Sequence, residues 1–356
     1  MMAQGMNQVV DRLAELTANR DRDMLDVSLA GVLKELLRPE SVAIYRCVGD
    51  EADRRWITSA RLGLHEQAAS SDPAWSSLKS LPPLAQFPAR LQALRLQEVV
   101  VTSAAAHSLA VFPLSTDHAV AGVLEVLTWQ ALGTDAFRLV GSILRVFRNF
   151  QSLLDYSERD TLTGLLNRTT FDSAFNRLAG AVAGAASVDR PATPYAGAGQ
   201  RNPTTAQQPH FIGVIDIDHF KRVNDGFGHL IGDEVLLLLS RLMRSVFRYH
   251  DRLYRFGGEE FVVLMRCRND AEAGAALQRL RAAIKAYVFP QVGSLTLSVG
   301  YAEVLPDDTP SRAFDRADRA VYWAKQHGRD QVCGFADLSA RGELIDDAKT
   351  GDVELF

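Results

Sequence analysis

The stretch RLYRFGGEEFVVLM, residues 252–265, constrains the fold more than any other part of the chain. Apolar and aromatic residues on both sides of it read as two paired strands. Gly257 and Gly258 between them supply the positive φ that a two-residue hairpin connection needs. A hairpin commits this region to a sheet, yet it carries two adjacent carboxylates, Glu259 and Glu260, at its tip. Two like charges side by side repel, so the tip calls for a cation.

A second run supplies a matching acid. In FIGVIDIDHF, residues 211–220, the apolar Ile212, Val214 and Ile215 of a buried strand lead into Asp216 and Asp218. An Asp directly after a buried strand is poorly placed for packing and well placed to hold a hard cation, because carboxylate and carbonyl oxygens are what Mg²⁺ takes, commonly together with substrate phosphates. Asp218 has a local alternative as the N-cap of the helix begun by HFKRVNDGFG. Asp216 has none. If its strand lies beside the hairpin, Asp216 and Glu259 converge on one ion, and a divalent charge offsets their repulsion. The plain alternative, an exposed acidic turn, accounts for the glutamates but leaves Asp216 unexplained.

The rest of the chain divides around these runs. Its 356 residues are enough for about two domains. Residues 6–37 carry apolar positions at helical spacing up to Pro39, and SVAIYRC, RRWITSARLG, EVVVTS, SLAVFPLS and AVAGVLEVLTW then read as strands. Short helices fit the stretch 72–96 between them. This order predicts an α+β domain over 1–133 that resembles GAF sensor domains in pattern, with no short motif behind the likeness. From Thr134 to Asp160, the residues Ala136, Val140, Ile143, Phe147, Phe150 and Leu154 alternate four- and three-residue steps. That heptad pattern predicts a connecting helix over 134–159 whose seam pairs two copies of the chain, the alternative being a helix laid on its own domain. A second domain follows at 160–336, alternating helices and strands around a central sheet. Residues 180–209, rich in small residues, Pro, Gly and Gln, read as a mobile insertion within it. The acidic stretch 337–356 reads as a loose tail.

Within 160–336 the motifs stand in an order that resembles the GGDEF family of diguanylate cyclases. GGEEF at 257–261 is the signature, with Glu259 at a position where family members carry Asp or Glu. DTLTGLLNR (160–168), DIDHFKRVND (216–225), GHLIGDEVL (228–236) and ADRAVYWAKQHGRDQV (317–332) complete the set. The resemblance implies a nucleotidyl-cyclase-like fold in which two GTP molecules condense to cyclic di-GMP and two pyrophosphates. It implies a Mg²⁺ site, which Mn²⁺ could also fill, made by Asp216, the carbonyl of Ile217, Glu259 and Glu260. Glu259 is also the family's candidate for taking the proton of the attacking 3′-hydroxyl. Lys221 would neutralise phosphate charge as it grows in the transition state. Asn224 and Asp233 would bind guanine, with Gly257 and Gly258 beside the substrate. Lys325 and Arg329, read as four apart on one helix end, would grip the distal phosphates, although a solvated helix terminus reads equally well from sequence. Arg248 and Asp251, in RYHD, match the spacing of the family's product-inhibition site, with Arg279 or Arg281 as a third member. A helix-end ion pair is the local alternative for that pair.

One domain holds one GTP, so the implied reaction needs a homodimer. The rival reading, a silent receptor for GTP or cyclic di-GMP, is disfavoured because every metal carboxylate is present. A protein-interaction module is a third reading for the N-terminal half. Net charge is −4 and no run is long and apolar enough to span a bilayer, which argues against nucleic-acid and membrane partners. Three widely spaced cysteines and a start without a signal peptide's apolar core point to the cytoplasm.

Overall fold

The computed structural model of the protein describes residues 11–12, 14, 16–17, 22–49, 53–72, 76–104, 106–115, 120–176 and 208–344. Most of the 180–209 insertion and the end of the acidic tail lie outside these. The chain divides into two compact units, residues 1–157 and 158–356.

The first unit is a five-stranded antiparallel sheet in the order β2-β1-β5-β4-β3. Its strands are β1 (Ser41–Val48), β2 (Arg55–Gly63), β3 (Val100–Ala104), β4 (His107–Ser115) and β5 (Val120–Thr128). Alternation sends successive side chains to opposite faces. Ala110, Phe112 and Leu114 of β4 face helices α1 (Arg22–Leu37) and α3 (Thr134–Glu158). Val111, between them, packs with Trp56 and with Ala93 and Leu94 of α2 (Pro88–Leu96) on the other face. Two buried ion pairs tie the sheet together. Arg46 of β1 meets Asp26 of α1, and Arg90 of α2 meets Glu125 of β5, its guanidinium 3.4 Å from the Tyr45 ring centre.

Helix α3 corrects one sequence expectation. Val140, Ile143, Phe147 and Leu154, read as a seam between two chains, are buried in the core of this unit, with Phe150 packed against it. The apolar stripe is real, but the same chain's α1 and sheet fill it. On the outward side stand Leu153 and Tyr156, both largely exposed.

The second unit is a mixed six-stranded sheet in the order β11-β10-β7-β9-β8-β6. It comprises β6 (Leu166–Asn167), β7 (His210–Ile217), β8 (Arg252–Gly257), β9 (Glu260–Arg266), β10 (Leu297–Glu303) and β11 (Gln331–Gly334). Central β7 reads as a continuous apolar run because both its faces are covered. Phe211, Ile215 and Ile217 pack under α5 (Phe220–Phe227), α6 (His229–Val246) and α7 (Asp270–Ala286). Ile212 and Val214 pack under α4 (168–176) and α8 (Pro310–Gln326). The chain then forms α9 (Phe335–Ala340), with Phe335 and Leu338 buried, so the stretch read as a loose tail from 337 opens inside a packed helix.

Candidate active site

The acids meet at the end of β7. Asp216 pairs directly with Glu260 across β7 and β9, and directly paired residues share a face. That face is the one carrying Ile212 and Val214, so both carboxylates emerge beside α8. The hairpin turn itself is Gly258-Glu259, enclosed by the pair Gly257–Glu260, rather than Gly257-Gly258 as the sequence suggested. Gly258 takes φ +52°, and Glu259 rides on the turn. Ile217 buries its side chain on the opposite face and leaves its carbonyl at the strand end.

Lys325 reaches in from the last turn of α8 to place Nζ 2.8 Å from Asp216 Oδ2. Burial raises the pKa of Asp216 despite Lys325, with Asp218 and Asp318 adding to the rise. Glu259 is raised by burial and then by Asp216, and Glu260 by burial and then by Asp318 and Asp216. Negative charge is thus concentrated where burial disfavours it. No group of three or more His, Cys, Asp or Glu side chains among the described residues is drawn together into a metal-holding cluster. The donors still fit a hard divalent ion: Asp216 and Glu259 offer only oxygens, and a second positive charge there would relieve the repulsion that Lys325 partly relieves alone.

Asp218 is not the N-cap of α5. Its carboxylate accepts hydrogen bonds from Thr296 Oγ1 at 2.7 Å, Ser298 Oγ at 2.6 Å and the Asp330 N–H at 3.0 Å. His219, at φ +60°, occupies the N-cap instead and makes no side-chain cap bond. Lys221 is exposed in the first turn of α5. Asn224, further along that helix, lies against Gly232 of α6, and exposed Asp233 follows. Arg329 is not on the α8 helix with Lys325. The helix ends at Gln326, and Arg329 stands in the turn beyond at φ +62°.

Two groups were not singled out from sequence. Arg255 of β8 grips the hairpin by donating to the Gly258 carbonyl (Nη2, 2.8 Å) and to Asp160 (Nη1, 3.0 Å). Burial opposes ionisation of Asp160, but hydrogen bonds from Thr163 and Arg255 outweigh it and hold its carboxyl below the usual range. The motif DTLTGLLNR therefore braces the tip. Asp318, the other group, joins the acidic edge from α8. Both lay inside or beside quoted motifs, but their partners are far away in sequence.

Arg248 and Asp251 make a turn. Asp251 Oδ2 accepts the Arg248 backbone N–H at 2.9 Å, and burial pushes its pKa up to about 6. The Arg248 side chain instead meets Glu272 of α7 at 2.9 Å. Of the two candidates for a third member, Arg279 acts electrostatically on Asp251, whereas Arg281 is bound to Asp330.

The site is thus a mixed sheet with a carboxylate-bearing hairpin beside a strand-end Asp, flanked by a lysine from an adjoining helix. Residues 196–331 match the family model of the GGDEF domain, diguanylate cyclase, so this unit carries a GGDEF domain. The chain is 45% identical over 124 residues to the diguanylate cyclase DgcP of Pseudomonas aeruginosa, a match covering 34% of this chain and 18% of that protein. It is 37% identical over 130 residues to the diguanylate cyclase DgcZ of Escherichia coli, covering 36% and 44%. It is 33% identical over 194 residues to the response regulator PleD of Caulobacter vibrioides, covering 53% and 38%. Each match spans less than half of the relative's own length. Among solved structures, the GGDEF domain of DgcB from Caulobacter crescentus in complex with c-di-GMP is 28% identical, with a TM-score of 0.42, over 50% of this chain and 93% of that one. No helix among the described residues is long and apolar enough to cross a membrane.

Proposed function

We propose that the chain is a diguanylate cyclase that condenses two GTP molecules into cyclic di-GMP. The observation that carries this reading is the cross-strand pair Asp216–Glu260 with Glu259 on the adjoining turn and Lys325 2.8 Å from Asp216. Asp216, the Ile217 carbonyl and Glu259 would hold Mg²⁺ or Mn²⁺, with Glu260 adding charge beside them. Once bound, the ion supplies a Lewis acid for the phosphates.

The chain's own residues account for the remaining chemistry. Asn224 and Asp233 orient guanine, and Asp233 can accept from N1–H and N2–H₂ together, donors that adenine lacks. Lys221, Lys325 and Arg329 neutralise the triphosphate. Glu259, its pKa raised by burial, is suited to take the proton from the 3′-hydroxyl. The oxygen so freed attacks the α-phosphorus of the second GTP, the bond to the bridging oxygen breaks, and pyrophosphate leaves. The same exchange in the reverse sense closes the ring, so two units of two chains must face each other.

The first unit is read as a GAF-like sensor, and Arg248, Asp251 and Arg279 as a product-feedback site. Product binding there would require Arg248 to leave Glu272.

Incubation with GTP and Mg²⁺, followed by chromatography, should yield cyclic di-GMP and pyrophosphate. Glu259→Gln or Asp216→Asn should remove nearly all turnover while the thermal unfolding curve is kept. Near-native turnover in either variant, or nucleotide binding by the native chain without product, would overturn the reading.

A further inference from the structure

The exit of α8 is a strained turn held from three sides. Gly328, Arg329 and Asp330 take φ of +105°, +62° and +44° in succession. A left-handed glycine after a helix is ordinary, but two further non-glycine residues with positive φ are not. Such a conformation persists only where the surroundings over-determine it. Here they do. Asp330 Oδ1 accepts from Arg281 Nη1 at 2.5 Å and Oδ2 from Lys285 Nζ at 2.6 Å, both on α7. The Asp330 N–H donates to Asp218, which is itself fixed by Thr296 and Ser298. The Arg329 N–H returns to the Ala324 carbonyl at 2.9 Å, and Gln331 Nε2 donates to the Ala324 and His327 carbonyls. The charges of Lys285 and Arg281 outweigh burial and keep Asp330 ionised below the usual range.

Joining α8 to β11 does not by itself need this investment, since an ordinary turn with a single left-handed glycine would serve. What the anchored conformation fixes is the direction in which Arg329 leaves the backbone. We propose that Asp330, held by Arg281, Lys285 and Asp218, is a positioning residue that locks this turn and so presents Arg329 to the distal phosphates of the nucleotide. The inference rests on reading Arg329 as a phosphate ligand. It assigns Asp218 a task too: the second acid of the DID run anchors the phosphate turn and leaves the metal to Asp216.

The test compares Arg329→Ala, Asp330→Ala, Asp330→Asn, Arg281→Ala and the double variant Arg329→Ala/Asp330→Ala. For each, KM and kcat for GTP are measured beside the calorimetric Kd of an unreactive GTP analogue and the melting temperature. Distal phosphates are gripped before and during the reaction, so Arg329→Ala and Asp330→Ala should each raise KM and Kd about tenfold with kcat nearly kept. The double variant should be no weaker than Arg329→Ala alone, because Asp330 acts through Arg329. Asn tolerates left-handed φ but loses the ionic anchor, so Asp330→Asn should lie between native and Asp330→Ala. Arg281→Ala leaves the turn's own residues intact and should also raise KM, which keeps the test open if Asp330→Ala unfolds. If Arg329→Ala weakens binding while Asp330→Asn and Arg281→Ala bind like the native chain, the positioning role is wrong and the phosphate role stands. Additive losses in the double variant would overturn the positioning role as well. If Arg329→Ala itself leaves KM and Kd unchanged, the phosphate reading of Arg329 falls and the inference with it.

Discussion

At Gly232 a single methyl group would separate stability from function. A Cβ there would stand 2.0 Å from Asn224 Oδ1, the far end of a movable side chain. Gly232→Ala should therefore fold, but only by pushing Asn224 away from the guanine it is read to hold. Losing that contact should lower kcat/KM for GTP roughly ten- to hundredfold, about 1–3 kcal/mol. Native kinetics in a folded Gly232→Ala protein would detach Asn224 from substrate. Asp251 gives a pH signature instead. Burial moves its pKa from an ordinary 3.8 to about 6. Between those values the folded chain keeps a proton that the unfolded chain has lost, so stability falls as pH rises across that window and stays lower above it. Two pKa units correspond to on the order of 2–3 kcal/mol, and Asp251→Asn should flatten the curve by up to that amount in denaturant titrations between pH 4 and 7. An unchanged slope would mean that Asp251 is not the group responsible. Residues of this scale were legible where their cause is local. Asp216 stood out because nothing near it in sequence explains an acid at a strand end. Asp218 was misjudged because its partners, Thr296 and Ser298, lie 78 and 80 residues away. For Asp251, spacing shows that an Arg and an Asp are neighbours without showing that the carboxylate turns inward to accept the Arg248 backbone N–H.

Among elements, strands were easier to read than the purpose of helices. The five apolar runs of the first unit and the two runs flanking the hairpin turn of the second each form a strand. For α3 the periodicity identified the buried stripe and could not say what covers it, since a stripe on its own sheet and a stripe on a second helix have the same spacing. The structure separates the two by experiment-ready numbers. Phe147 is 1% exposed within a single chain. Phe147→Ala should therefore destabilise the first unit by about 3–5 kcal/mol, read as an earlier unfolding transition in denaturant. A seam residue would do the reverse, weakening association while leaving the unit's own unfolding in place. The hairpin makes the complementary point. That the chain turns back here was legible from two glycines, but the turn sits one residue later than they suggest, and its brace was not legible because Arg255 and Asp160 are 95 residues apart. Fixing the tip matters more here than in an ordinary hairpin, since Glu259 must be held against the repulsion of Asp216.

For the whole molecule, the proposed chemistry needs two active sites while each chain supplies one. One GGDEF unit has one Asp216, one Glu259 and one Lys325, and ring closure needs a 3′-hydroxyl delivered to each α-phosphorus by a second bound nucleotide. With the α3 stripe committed to its own unit, the helix does not make the encounter permanent through those residues. Association and turnover should then be linked by mass action. At protein concentrations below the dimer dissociation constant, the specific activity at saturating GTP should rise in proportion to chain concentration, then level off as dimer becomes the main species. Sedimentation across the same range should show the dimer fraction rising over the same decade as activity. Mixing native chain with an excess of Glu259→Gln should lower activity further than dilution by the same volume of buffer, because native chains are drawn into mixed dimers in which one of the two transfers lacks its carboxylate. Specific activity that stays constant from the lowest measurable concentration upward, together with a monomer in sedimentation, would show that one chain completes both transfers and that the paired-site mechanism is wrong.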